Sequence, residues 1–224
     1  MIQEHTSTAE IIIPAHASAK NTSYLGDVLL PLHTLKVAKE LKAKGSVGEV
    51  TVISNIEEVI AAAIELEFKV FSESAELAAA EQIAPVVAMV AGMAEQVSDY
   101  TLVLTPNVPF RDVDRVAKFL RWSMAIQADA TWTCEEVPCR AEMIVFDHQH
   151  EESVVQAIPR SERSRASRLV LTTHYAIAAR TAFLIEHSKL RPPKTRLYQM
   201  PKGHITWTIN NLSDLQWAEK MLET

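Results

Sequence analysis

The chain has 224 residues, 48% of them hydrophobic and 22% charged, and a formal net charge of -6. This is the composition of a soluble globular protein, long enough for one or two domains with a real core. The acidic balance, with no dominant basic face, excludes a nucleic-acid scaffold, and no apolar run reaches the roughly 18 to 20 residues that span a bilayer.

In chain order, Met1–His5 carries no basic stretch followed by an apolar one, so no secretory leader is expected. A strand is expected at Ile11–Pro14, three β-branched residues closed by a proline that cannot donate to a ladder. The loop after it, Ala15-His16-Ala17-Ser18-Ala19-Lys20, offers small residues and a cation, a common way to hold phosphate in α/β proteins. Pro31–Lys44 reads as a helix, with Leu32, Leu35, Val37, Ala38 and Leu41 at helical spacing and lysines opposite. Gly45-Ser46-Val47-Gly48 breaks it. Val50–Ser54 is a strand, Ile56–Leu66 a helix and Lys69–Phe71 a short strand. Ala75–Val97 is a long helical stretch interrupted near Pro85. Tyr100–Leu104 is a strand, and Asp112–Met124 a helix with Asp112 at its positive end. This alternation predicts a mainly parallel sheet with helices on both faces. The ligand site is then expected at the carboxyl ends of the strands, at the loops Pro14–Lys20 and Thr105–Arg111.

Residues 131–170 change character. Trp132–Val137 and Met143–Phe146 read as strands, and the polar stretch Asp147–Glu152 as a turn. There, His148 and His150 at i, i+2 share one strand face beside Asp147, Glu151 and Glu152, a pattern that reads first as solvated surface. Arg160, Arg163, Arg165 and Arg168 mark an exposed arm. Leu169–Ala179 is apolar again, and Arg191-Pro192-Pro193-Lys194 is a stiff connector. Leu197–Met200 and Ile205–Ile209 read as strands. Ser213–Leu222 is a closing helix that buries Leu215, Ala218, Met221 and Leu222. Cys134 and Cys139 have neither CxxC spacing nor a second pair for zinc, and are expected as reduced thiols in a cytoplasmic protein. There is no P-loop, no G-x-G-x-x-G and no G-x-S-x-G, and only five glycines, few for a nucleotide-binding α/β enzyme.

Four segments, in order, carry a resemblance. Ile11-Ile12-Ile13-Pro14-Ala15-His16-Ala17-Ser18-Ala19-Lys20 resembles an opening I-P-A-R-x-x-S-K. Glu73-Ser74-Ala75-Glu76-Leu77-Ala78 resembles R-P-x-E-L-A. Leu104-Thr105-Pro106-Asn107-Val108-Pro109-Phe110-Arg111 resembles L-Q-P-T-S-P-L-R. Thr208-Ile209-Asn210-Asn211-Leu212-Ser213-Asp214-Leu215 resembles D-I-D-T-x-x-D-L, and Ala218-Glu219 follows as A-E. Together they resemble the acylneuraminate cytidylyltransferases, or CMP-sialic acid synthetases, and their relatives that activate Kdo and pseudaminic acid.

The resemblance implies a nucleotidyltransferase-like α/β domain over residues 1–224, with a β-rich extension at 131–170 that mediates homodimerisation. It implies transfer from CTP to a sialic-acid-like sugar acid, giving a CMP-sugar and pyrophosphate, with Mg²⁺ as the ion, no nucleic acid and no membrane. Carried over by position, Lys20 and His16 take the catalytic places, Ala15, Ala17, Ser18, Thr105 and Asn107 the nucleotide contacts, and His174 and Tyr175 the sugar contacts. The chain departs from the pattern at several of these places. His16 replaces an arginine, Glu73 another arginine, Ala80 an aspartate and Thr105 a glutamine. Thr208 and Asn210 replace the two metal carboxylates, and neutral oxygen donors suit Mg²⁺ poorly. A second expectation is therefore a non-catalytic relative that binds a nucleotide, a sugar acid or a protein partner. Asp27 or Glu73 converging near Lys20 would restore the acidic donors.

Overall fold

The computed structural model describes residues 8–18, 21–72, 83–94, 97–137, 143–147, 152–156, 169–192, 195–201 and 206–223. Its elements are β1 (Ala9–Ala15), β2 (Tyr24–Leu25), β3 (Val28–Leu29), α1 (Leu30–Ala43), β4 (Glu49–Ser54), α2 (Glu57–Glu65), β5 (Lys69–Ser72), α3 (Ile83–Gly92), β6 (Tyr100–Val103), α4 (Val113–Ala125), β7 (Ala130–Val137), β8 (Met143–Asp147), β9 (Glu152–Gln156), β10 (Leu169–Arg180), α5 (Thr181–His187), β11 (Arg196–Gln199) and α6 (Leu212–Leu222). Seven strands form one sheet in the order β11-β7-β10-β6-β1-β4-β5. All pair parallel except β10, which is antiparallel to both β6 and β7.

β1 is an interior strand, flanked by β6 and β4, and every one of its residues is buried. Its side chains alternate between two cores, as a strand covered on both faces requires. Ile11 and Ile13 pack with Leu35 and Leu41 of α1, Val59 of α2 and Phe119 of α4. Ile12 packs on the other face with Val86 and Val87 of α3 and Leu184 of α5. The expected three-layer arrangement is therefore present. A smaller cluster joins Leu25 and Leu30 to Leu215 and Ala218 of α6. Leu222, expected in that buried stripe, is exposed.

Pro14 does not end β1. Ile12 accepts from the Leu104 N–H on the β6 side, and residue 14, two positions on, faces the same side. The β6 ladder stops at Ile12↔Val103, while pairing with β4 runs on through Pro14↔Ile53 to Ala15↔Ser54. The proline thus lacks its N–H only on the side where pairing has already ceased.

The region 131–170 is not a separate unit throughout. β7 belongs to the main sheet, between β10 and β11. β8 and β9 form a two-stranded antiparallel hairpin of their own. His148, His150, Glu151, Cys139 and the arginine run 160–168 lie outside the described residues. β10 is a single long strand with an irregular register against β7 between Thr172 and Ile177. The Thr133 hydroxyl fills that irregularity: it accepts from the Ala176 N–H at 3.2 Å and lies 3.2 Å from both the Thr173 and Ala176 carbonyls.

Glu10 is buried at 4% exposure, near the amino end of β1. It accepts a hydrogen bond from the Thr101 hydroxyl at 3.0 Å, and Thr181 lies 3.0 Å beyond. Burial pushes its carboxyl above the ordinary 4.5, against the smaller pull of the Thr101 hydrogen bond and of Lys69. Between 4.5 and the raised folded value the native state binds more protons than the unfolded chain, so stability falls as pH rises through that window. Glu10→Gln keeps the acceptor and removes the charge. Thermal unfolding should show the variant more stable than the parent at pH 7 to 8, with the advantage gone by about pH 4. A difference that does not change with pH would refute this account.

Candidate functional site

The chain leaves β1 through α1 toward β4 on one side, and β6 lies on the other. The sheet therefore has its topological switch point between β1 and β6, where α/β proteins open a crevice at the carboxyl ends of the strands. A cleft of about 410 Å³ lies there. Pro14, His16 and Asn21 line it on the β1 side. Thr105, Pro106 and Asn107 line it after β6, and Asn210 comes from the segment before α6. Trp132, His174 and Ser188 to Arg191 close the far side, while Val103, Ile177 and the first residues of α3 give an apolar wall.

The β1 loop is pinned from both flanks. The Ala17 N–H donates to Asn55 Oδ1 at 2.6 Å, and the Ser54 hydroxyl donates to the Ala15 carbonyl at 2.8 Å. Asn21 Nδ2 donates to the His16 carbonyl at 2.8 Å. Asn21 is 1% exposed, yet its Oδ1 has no hydrogen-bond partner among the described residues. A buried acceptor in a cleft wall without a donor is costly unless a ligand or water supplies one.

The loop after β6 is organised by Arg111. Its guanidinium is buried and donates to the carbonyls of Tyr175 at 2.6 Å, Thr105 at 2.8 Å, Val108 at 2.9 Å and His174 at 3.3 Å. It also donates to the Thr34 hydroxyl at 3.0 Å. Burial without a carboxylate partner pulls it down to about 9, still above neutral pH, so it remains charged. Asn107 ties in the third segment: Ile209 N–H donates to its carbonyl at 2.8 Å, and its Nδ2 donates to the Ile209 carbonyl at 3.2 Å. Asn210 is fixed in turn by Asp214, which accepts from the Asn210 N–H while Asn211 accepts from the Asp214 N–H, both at 2.9 Å. This is reciprocal capping of α6.

Of the residues expected at a site, His16, Thr105, Asn107 and His174 meet in this cleft. Ala15, Ala17 and Ser18 are not among its lining. Ala15 is buried in the strand, the Ala17 N–H is committed to Asn55, and the Ser18 hydroxyl accepts from Asn21 within the turn. Tyr175 faces away: it is fully buried, and its phenol accepts from the Asp112 N–H at 2.6 Å. Burial pushes that phenol up to about 12. Adjacent strand residues point to opposite faces, so His174 and Tyr175 do not share a site. Lys20 and Glu73 lie outside the described residues, and Asp27 sits in the β2–β3 turn, not in the cleft lining.

Asn21, Trp132, Lys189 and Arg191 were not expected there. Asn21 directly follows Lys20, and that adjacency was the available signal. Trp132 read only as a strand residue and Arg191 only as part of a connector.

No carboxylate occurs among the described lining residues, and those residues hold no group of three or more His, Cys, Asp or Glu able to hold a metal. Thr208 does not line the cleft, and Asn210 offers only a neutral amide. The described donors do not fit a Mg²⁺ ion held by protein carboxylates.

No protein-family model and no curated protein sequence matches the chain. Solved structures do match its fold. CMP:2-keto-3-deoxy-manno-octonic acid synthetase complexed with CTP superposes with a TM-score of 0.70 at 16% identity, covering 97% of this chain and 99% of that one. 4-diphosphocytidyl-2C-methyl-D-erythritol synthase from Anaerococcus prevotii gives 0.66 at 14% identity, covering 97% and 99%. 2-C-methyl-D-erythritol 4-phosphate cytidylyltransferase from Thermus thermophilus gives 0.60 at 18% identity, covering 95% and 98%. The chain thus has a nucleotidyltransferase-like α/β fold over nearly its whole length.

Arg111 carries a direct test. Arg111→Met removes the guanidinium donors from the Tyr175, Thr105, Val108 and His174 carbonyls and should destabilise the protein by on the order of 3 kcal/mol or more, read as a lowered urea midpoint. Arg111→Lys, with one point of charge in place of a planar fork, should recover only a minor part of the loss. Full recovery by lysine would show that charge alone holds the loop.

Proposed function

We propose that the cleft is a nucleotide site, with CTP as its nucleotide and a sialic-acid-like sugar acid as its second occupant, and that its reaction is cytidylyl transfer between them. The supporting observation is convergence. His16 and Asn21, Thr105 to Asn107, His174 and Asn210 are far apart in sequence and meet at one switch-point cleft. They do so on a fold shared with a synthetase whose structure holds CTP. The chemistry asked of the protein is mostly binding and charge neutralisation. An oxygen of the acid attacks the innermost phosphate of the nucleotide, and pyrophosphate leaves. Positioning two substrates in one cleft supplies much of such a rate, and cations around the phosphates stabilise the charge that builds on the leaving group. Cytoplasmic location and a homodimer joined through the β-rich extension at 131–170 belong to the same reading.

One observation favours a second reading, binding without transfer. The described lining holds no carboxylate, and the positions that would carry metal ligands are Thr208 and Asn210. On that reading the same cleft binds a nucleotide, a sugar acid or a protein partner and releases no pyrophosphate.

Calorimetry with CTP, GTP, ATP and UTP, with and without Mg²⁺, tests the shared part. CTP is expected to bind in the range of about 1 μM to 1 mM usual for enzyme substrates, and more tightly than the purines. Pyrophosphate release from CTP with N-acetylneuraminate, Kdo and pseudaminic acid then separates the two readings. Release above the no-acceptor control supports transfer. Binding without release leaves the binder, and no nucleotide binding at all overturns both ligand readings.

A further inference from the structure

We propose that Lys189 and Arg191 form the acid-selecting end of the cleft, receiving the carboxylate of the second substrate while the nucleotide occupies the β1 end. The inference rests on the reading above, of two occupants in one cleft, and adds which residues choose the acid. The chain that carries them is built, not loose. α5 ends at His187, and Ser188 takes a left-handed conformation, φ 51, while its N–H donates to the Leu184 carbonyl at 2.8 Å. The turn sends Leu190 inward, where it is buried, and the Trp132 indole N–H donates to its carbonyl at 2.8 Å. Its neighbours on either side, Lys189 and Arg191, both line the cleft. The Arg191 guanidinium lies 5.6 Å from the centre of the Trp132 ring, so a planar fork of donors rests on an aromatic platform.

Among the described residues, the two ends of the cleft differ in charge. The described lining at the β1 end offers neutral groups and His16, among them the unpartnered Asn21 Oδ1, whereas the far end holds two permanent cations. Neither cation is in an ion pair with a described residue, and the described lining contains no acid to neutralise them. In a protein of net charge -6, a cleft end with cations alone is set to receive an anion. A guanidinium fork matches the two oxygens of a carboxylate.

The test titrates the whole protein with N-acetylneuraminate, with its uncharged methyl ester, and with CTP. The parent is expected to bind the acid at least about tenfold more tightly than the ester, the size of one charge-assisted hydrogen-bond pair. Lys189→Gln combined with Arg191→Gln should abolish that discrimination while CTP affinity stays within about twofold. Arg191→Lys should keep part of it. Both side chains are exposed, so the variants should fold, and unchanged circular dichroism and melting check that. Persistence of acid discrimination in the double variant, or no acid binding by the parent, overturns the proposal. So does a loss of CTP affinity in step with that of the acid, which would assign the cations to the nucleotide's phosphates. Failure of the parent to bind CTP while it still selects the acid through these cations would overturn the nucleotide reading and leave this one standing.

Discussion

The buried guanidinium of Arg111 is the constraint on which the rest of the site depends. It lies in the core with no carboxylate beside it, and its charge is balanced only by the oxygens that it gathers. Those oxygens belong to the loop after β6, to β10 and to α1. One side chain therefore ties together three elements, two of which, the loop after β6 and β10, line the cleft. Burying a cation in this way is costly, and the cost is offset by the hydrogen bonds that the guanidinium donates to these carbonyls and to the Thr34 hydroxyl. The arrangement forces Thr105 and His174 to sit side by side. Their spacing is set from behind, by the core, and not by a ligand.

With its walls fixed in this way, the cleft divides the work by charge. Among the described lining residues, the β1 side presents His16, Asn21 and backbone, and the segment after α5 presents Lys189 and Arg191, the latter over the Trp132 ring. The fold shared with the three solved structures, at 14 to 18% identity, fixes the crevice but not its chemistry. The chemistry is in the residues that replaced the acidic ones. Where metal carboxylates would be expected from the resemblance, Asn210 is instead held by Asn107 and by the cap of α6. On the proposed reading, charge neutralisation falls to protein cations, which bind anions without the geometric demands of an ion's coordination shell.

The sequence was most legible where periodicity was strong. The strands β1, β4 and β6 and the helices α1, α2 and α4 follow from hydrophobic spacing, because each presents a buried face to a large core. β10 was legible only as an apolar stretch. Its direction and its irregular register at Thr172 to Ile177 depend on the Thr133 hydroxyl, a contact across 40 residues or more. α5 went unread because it has only seven residues and no side-chain cap. At the site, the loops at the strand ends were legible from topology alone. Lys189 and Arg191 were hidden because their role comes from a left-handed turn and a hydrogen bond from Trp132, neither of which leaves a periodic trace. Tyr175, carried over as a sugar contact by the resemblance, is turned into the core instead, since two neighbours in a strand point to opposite faces.

Pro14 has a consequence for how the cleft is entered. Because residue 14 has no N–H to offer β6, the two strands cannot close one rung further, whether or not a ligand is present. Between β1 and β6 the crevice is held open by covalent structure, and these two strands need not separate to admit a small molecule. A binding-competent state that is already the populated one carries no penalty for selecting a rare conformer. Association at this site should then be governed by diffusion and by the charge at its far end, with the β1–β6 pair contributing no slow opening step.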